Sequence, residues 1–224
     1  MKVGTVAVLP VKHFGEAKQR LVPDGMTEGT RRALAEAMVT DVLIALRRAQ
    51  SVETVLVVTG EPVAEALAGG YDASVVVDPD DAGHSAAAER GIASAVMLGA
   101  ERVVLLPGDC PALVPAELDA LVARAKALPS PSVVIVPDRH GTGTNALVLT
   151  PPDVMRPAFG EGSCERHQRL AADAGATVEV ADVPSLLLDV DTMDDLEALR
   201  DALAAARGNA ANTRGLLARF SRRG

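Results

Sequence analysis

The most informative residue able to do chemistry in this chain is an acid at the end of an apolar run. Val103-Val104-Leu105-Leu106 stops at Pro107-Gly108, and Asp109 follows. So short and β-branched a run reads as a buried parallel strand. Asp109 then falls just past the carboxyl end of a central strand, where open α/β sheets bind ligands. A lone carboxylate there is costly unless it is paired, hydrogen-bonded or holding a metal. The plainer alternative is a turn residue ahead of a helix starting at Pro115. Leu188-Asp189-Val190-Asp191-Thr192 offers two more acids. If that segment is extended, both carboxylates face one way, about 7 Å apart. With Asp109 they make an oxygen-rich site for Mg²⁺, and two ions about 4 Å apart could fit it, as in many phosphoryl-transfer sites. The alternative leaves Asp191 in the turn before Thr192 and Asp189 solvated.

Cations follow the first strand. Lys12, Lys18 and Arg20 lie in the loop after Val3–Leu9. Backbone amides and cations together suit a triphosphate, and the loop's place at a strand end favours that over a merely solvated loop. It is not a P-loop, because the G-x-x-x-x-G-K-[ST] pattern is missing. Gly141-Thr142-Gly143-Thr144-Asn145-Ala146 matches G-x-G-x-x-A in letters only. A strand follows it where the dinucleotide fingerprint needs a helix. Its glycines either let backbone approach a ligand, with Thr144 and Asn145 as polar contacts, or simply form a hairpin loop. Phe159-Gly160-Glu161-Gly162-Ser163 opens a helix whose free amides favour an anion, with Arg166 as a phosphate partner. Ser163 as a plain helix cap is the other reading, and His167 reads as a surface or packing residue. No nucleophile elbow supports a serine triad, and the carboxylate beside Cys110 disfavours a thiolate.

The elements that must position these residues alternate. Strand-like runs fall at Val3–Leu9, Thr54–Thr59, Ser74–Val77, Val103–Leu106, Val133–Val136, Ala146–Leu149, Thr177–Val180 and Leu187–Val190. Helical patterns run from a cap at Thr27 to Gln50, then over Pro62–Ala68, Ala86–Leu98, Pro115–Leu128, Cys164–Ala174 and Met193–Arg207, the last with a Thr192/Asp195 capping box. Such alternation implies one α/β domain with a largely parallel sheet covered on both faces. The two strands of Val133–Leu149, with no helix between them, predict an antiparallel insertion. We place the domain at 1–207 and read 208–224, with Arg214, Arg219, Arg222 and Arg223, as a basic, loose tail.

Composition narrows the classes. The chain has 224 residues, 48% of them hydrophobic, yet only 2% aromatic with no Trp. Its core must be Ala, Val and Leu, so helices should lie close on the sheet. A net charge of −8 argues against a general nucleic-acid binder. Two distant cysteines match no zinc spacing and suit a reducing cytoplasm. No stretch reads as a membrane span or a secretory leader. Ala-rich helical faces could serve a homodimer or the core.

Five motifs occur in order: Pro10-Val11-Lys12 with Ala17-Lys18-Gln19-Arg20-Leu21; Gly108-Asp109-Cys110-Pro111-Ala112-Leu113; Asp138 through Leu147; Phe159-Gly160 with Ser163 and Arg166-His167; and Asp189-Val190-Asp191-Thr192. Together they resemble the guanylyltransferases of coenzyme F420 biosynthesis, the phosphoenolpyruvate or 2-phospho-L-lactate guanylyltransferase family. The resemblance implies a GT-A-like (nucleotide-diphospho-sugar transferase-like) nucleotidyltransferase fold, a three-layer sandwich with a mixed sheet. It implies GTP, Mg²⁺ and a phosphorylated three-carbon acid. By that resemblance Asp109, Asp189 and Asp191 hold metal, with Asp109 and Lys18 as the catalytic pair. Lys12, Lys18 and Arg20 hold the GTP phosphates, and Thr144, Gly160 and Ser163 hold the acid. One departure stands at Gly83–Ala88, where the family often has an Asn and this chain has Ser85 and Ala86. Two other classes share part of the pattern. One is a nucleotidyltransferase for a sugar phosphate or molybdenum cofactor; the other is a non-catalytic GTP-binding protein.

Overall fold

A computed structural model describes residues 3–15, 18, 21, 26–205 and 208–220. Seven strands form one sheet: β1 (Val3–Val11), β2 (Thr54–Thr59), β3 (Ser74–Val77), β4 (Ala100–Leu105), β5 (Ser132–Pro137), β6 (Thr144–Thr150) and β7 (Thr177–Val180). Among the described residues seven α-helices accompany them: α1 (Glu28–Arg48), α2 (Pro62–Gly70), α3 (His84–Met97), α4 (Pro115–Ala127), α5 (Ser163–Asp173), α6 (Met193–Ala205) and α7 (Ala211–Phe220). The strand order is β3-β2-β1-β4-β6-β5-β7. β6 runs antiparallel to both its neighbours, while the other adjacent pairs are parallel. The antiparallel insertion expected at Val133–Leu149 is thus the β5–β6 hairpin.

Period-two alternation splits the apolar residues between two faces. Ala7, Leu9, Val104, Val134 and Val148 join the core beneath α1, α2 and α4. Val6, Val8, Val103, Val133 and Leu147 join the core beneath α3 and α5. The result is the expected three-layer sandwich. Close helix-sheet packing also holds: at Gly91 of α3 a side chain would collide with Val8 of β1. Among the described residues no helix is long and apolar enough to cross a membrane.

Two expectations fail. Leu187–Val190 is not a strand; a 3-10 turn at Pro184–Leu186 leads into irregular chain. Residues from 208 onward do not hang loose either, since α7 packs on α1. Asp41 of α1 accepts from the Asn212 amide (3.1 Å) and side chain (2.9 Å) and from the Thr213 amide (2.8 Å). That buried carboxylate satisfies amides at the start of α7 which the helix cannot. A third apolar cluster joins Leu34, Met38, Leu196, Leu199, Leu203, Ala210 and Leu217 to Leu21 and Val190. A boundary at 207 would cut through it. Arg222 and Arg223 lie outside the described residues.

Candidate active site

Lys18 and two of the predicted acids meet at the carboxyl edge of the parallel strands. The loop after β1 is held from β2: Thr59 donates its hydroxyl to Val11 O at 2.8 Å, and Glu61 accepts from the Phe14 amide at 3.0 Å. Farther along, Lys18 adopts a positive φ of 60°. Its ammonium pairs with Asp109 Oδ2 and, at 3.2 Å, with Asp191 Oδ1. The Lys18 side chain is only 7% exposed. Burial pulls its pKa down, but Asp109 and Asp191 outweigh that and leave it raised. Lys12, Lys18, His84, Asp109 and Asp191 line one cavity of about 260 Å³, with Pro10, Val11 and Met38 as apolar wall. Arg20 lies outside the described residues.

Asp189 belongs to the same acidic group. Burial, then the charge of Asp109, pushes its carboxyl up to about 6. Asp109 Oδ1 is buried and has no hydrogen-bond partner among the described residues. Among the described residues no three acids, histidines or cysteines converge into a ready metal-ligand set. The equal-facing Asp189/Asp191 pair expected of a strand is replaced by a loop. That loop is fixed from the β5–β6 hairpin. Asn145 donates to Leu186 O (2.7 Å) and to Asp189 Oδ1 (3.1 Å). The Arg139 amide donates to Leu187 O (3.0 Å), and its guanidinium pairs with Asp195 at 2.6 Å. Asp195 in turn accepts from the Asp191 and Thr192 amides, completing the expected capping box. Asn145 is therefore a support for Asp189. The Asp138 carboxylate gathers the His140 and Thr142 amides, so Gly141–Gly143 forms a hairpin loop.

The second predicted group assembles where β6 meets α5. Ser163 Oγ and Thr144 Oγ1 lie 3.1 Å apart, and His167 Nδ1 lies 3.0 Å from Thr144 Oγ1. Ser163 does not cap α5; it is the first helical residue, behind Gly162 at φ 67°. The free amides expected there are partly spent, because Ser163 N donates to Gly160 O and Cys164 N to Thr142 O. Gly160 has φ 113°, a conformation that favours glycine. Arg166 is not available to a phosphate. Its guanidinium donates to Ala158 O, Glu161 O and Phe159 O, bracing the loop before α5. Ser85 accepts from the Phe159 amide at 2.9 Å. Phe159 packs edge-on against both His84 and His167, joining the cavity to the α5 group. Sequence reasoning missed Arg139 as a support, and it read Asn145 as a ligand contact and His167 as a surface or packing residue, where the structure makes both of them supports. It also missed Glu61, whose capping place just before Pro62 was legible.

Cys110 is neither exposed nor activated: it is fully buried, and burial followed by the charge of Asp109 raises its thiol well above the ordinary value. The sheet is an α/β sheet with one reversed strand, and it carries a lysine and carboxylates past β1 and β4. Residues 5–217 match the model for guanylyl transferase CofC-like proteins, and the chain belongs to that family. It is 56% identical over 215 residues to the phosphoenolpyruvate guanylyltransferase of Conexibacter woesei, covering 96% of each chain. In structure it resembles a protein assigned as a nucleotide-diphospho-sugar transferase from Desulfovibrio desulfuricans. The TM-score is 0.76 at 18% identity, covering 99% of this chain and 96% of that one. A Mycobacterium tuberculosis protein crystallised in complex with manganese shares the fold at TM-score 0.56 and 20% identity, covering 90% of this chain and 100% of that one.

Proposed function

We propose that this protein transfers GMP from GTP to phosphoenolpyruvate and releases pyrophosphate, as a cytoplasmic enzyme of coenzyme F420 biosynthesis. 2-Phospho-L-lactate is the alternative acceptor. The observation that carries the reading is the division of labour on β6. Asn145 holds Asp189 in the acidic group, while Thr144, its neighbour, joins Ser163 at the start of α5. Two anions can thus be received side by side. The choice of substrates rests on the 56% identical phosphoenolpyruvate guanylyltransferase.

A phosphate oxygen of the acceptor attacks the α-phosphorus of GTP in line. The new P–O bond forms as the bond to the bridging oxygen breaks, and pyrophosphate leaves. The acceptor phosphate is already anionic near neutral pH, so no strong base is needed. Catalysis is then positioning and charge neutralisation. Lys12 and Lys18 orient the triphosphate, and Arg20 belongs to the same loop. Thr144, Gly160 and Ser163 receive the three-carbon acid. The donor set fits Mg²⁺: all oxygen, one buried Asp109 oxygen without a partner among the described residues, and an Asp189 carboxyl raised by burial and then by the charge of Asp109. Asp109, Asp189 and Asp191 would hold it. When bound, the ion offsets charge on the phosphates.

The test is a matrix of the four nucleoside triphosphates against phosphoenolpyruvate, 2-phospho-L-lactate, 3-phosphoglycerate and a sugar phosphate. Pyrophosphate release is the readout. GTP with phosphoenolpyruvate should dominate. Turnover confined to the sugar phosphate, or none in any well, contradicts the proposal.

A further inference from the structure

His167 lies at 0% exposure, one turn into α5, with both ring nitrogens engaged. Nε2 accepts from the Ala158 amide at 2.9 Å. A backbone N–H can only donate, so Nε2 carries no proton. In a neutral ring the proton is then on Nδ1. Nδ1 faces Thr144 Oγ1 at 3.0 Å, so it donates there. Burial, followed by the charge of Arg166, keeps the ring neutral, with its pKa lowered to about 4.

The consequence is a proton count. Thr144 and Ser163 carry two hydroxyl protons between them, and their mutual contact at 3.1 Å uses one. With Nδ1 donating into Thr144, the second proton has no inward acceptor among these three side chains. It is left for an outside anion. With the opposite tautomer, Thr144 would donate to Nδ1 and Ser163 to Thr144, and both protons would be spent. The tautomer of His167 thus decides whether the hydroxyl pair can donate to an anion. An anion held by a directed hydrogen bond gains more than from a neutral contact.

We propose that His167 is a positioning residue for the acceptor: its Nδ1–H tautomer, locked by the Ala158 amide, leaves one hydroxyl proton of the Thr144–Ser163 pair for the anionic three-carbon acid. This rests on the reading above that Thr144 and Ser163 face that acid. The same ring ties the Ala158–Gly160 loop to α5, so support of the loop must be separated from direction of the hydroxyl.

Two substitutions separate them. Gln at 167 can place its oxygen where Nε2 accepts from Ala158 but brings no donor to Thr144. Asn can place its amide N–H where Nδ1 donates but leaves the Ala158 amide alone. His167→Gln should raise KM for phosphoenolpyruvate about tenfold, with KM for GTP unchanged and kcat within about twofold. His167→Asn should recover most of that loss. Equal KM shifts in the two variants, or none in His167→Gln, overturn the proposal. Thr144→Val is the control for the underlying reading. If it leaves KM for phosphoenolpyruvate unchanged, Thr144 does not face the acceptor and both readings fall. If it raises KM while His167→Gln does not, only the role of His167 falls. Should either His167 variant fail to fold, nitrogen-15 NMR of the wild-type histidines decides. The His167 signals should show a protonated Nδ1 and a bare Nε2; the reverse tautomer or an imidazolium overturns the proposal.

Discussion

Asn145 gives its side-chain amide to Asp189 at 3.1 Å, while Thr144, the preceding residue on β6, turns its hydroxyl to Ser163 and His167. One strand thus serves both halves of the site. Asn145→Ala leaves the Leu186 carbonyl and Asp189 without this donor. We expect a loss of about 1–3 kcal/mol in stability and a Mg²⁺ requirement raised roughly tenfold. Denaturant midpoints and Mg²⁺ titration of pyrophosphate release check the two parts. A normal Mg²⁺ requirement would detach Asn145 from the acidic group.

The C-terminal helix is a structural part of the enzyme. Asp41→Ala strips three hydrogen bonds from the start of α7. Roughly 2 kcal/mol should be lost, or about 4–8 °C in melting temperature for a domain of this size. Deleting residues 208–224 should cost more and lower turnover as well. The same apolar cluster holds Leu21, beyond Lys18, and Val190, between Asp189 and Asp191. Calorimetry with the pyrophosphate assay tests this. A deletion that keeps wild-type melting and turnover would contradict the packing.

His167 makes stability depend on pH. Its pKa is lowered to about 4 in the fold, against about 6.5 in the unfolded chain. Between these values the unfolded state binds more protons, so stability rises with pH. The contribution is complete above about pH 6.5 and is lost as pH falls towards 4, to an extent of roughly 3 kcal/mol. Urea unfolding at a series of pH values measures it. His167→Gln should remove that part of the slope, and an unchanged slope would place the titration elsewhere.

What was legible in the sequence follows physical range. Sheet alternation, the reversed hairpin and Asp109 beyond its strand all rest on local pattern, and each stands in the fold. Leu187–Val190 misled because alternating Leu, Asp and Val satisfies a strand pattern, while among the described residues no neighbouring strand offers it a ladder. Its partners are side chains and amides of the hairpin, more than 40 residues earlier in the chain. Arg166 misled for a related reason. A guanidinium beside glycines suits a phosphate, but three carbonyls of its own loop claim it first. The tail from 208 reads as solvated by charge. The buried Asp41, at 4% exposure, and the apolar cluster that takes in Ala210 and Leu217 show why it folds back.

In the proposed mechanism Asp109 holds the cation that lets a triphosphate react at this edge. Asp109→Asn keeps shape and removes charge, so the variant should fold. The decisive measurement is Mg²⁺-dependent pyrophosphate release from GTP and phosphoenolpyruvate, wild type against Asp109→Asn, with circular dichroism confirming the fold. Turnover should fall at least about a hundredfold, and excess Mg²⁺ should not restore it. Turnover within a few-fold of wild type at ordinary Mg²⁺ would contradict it.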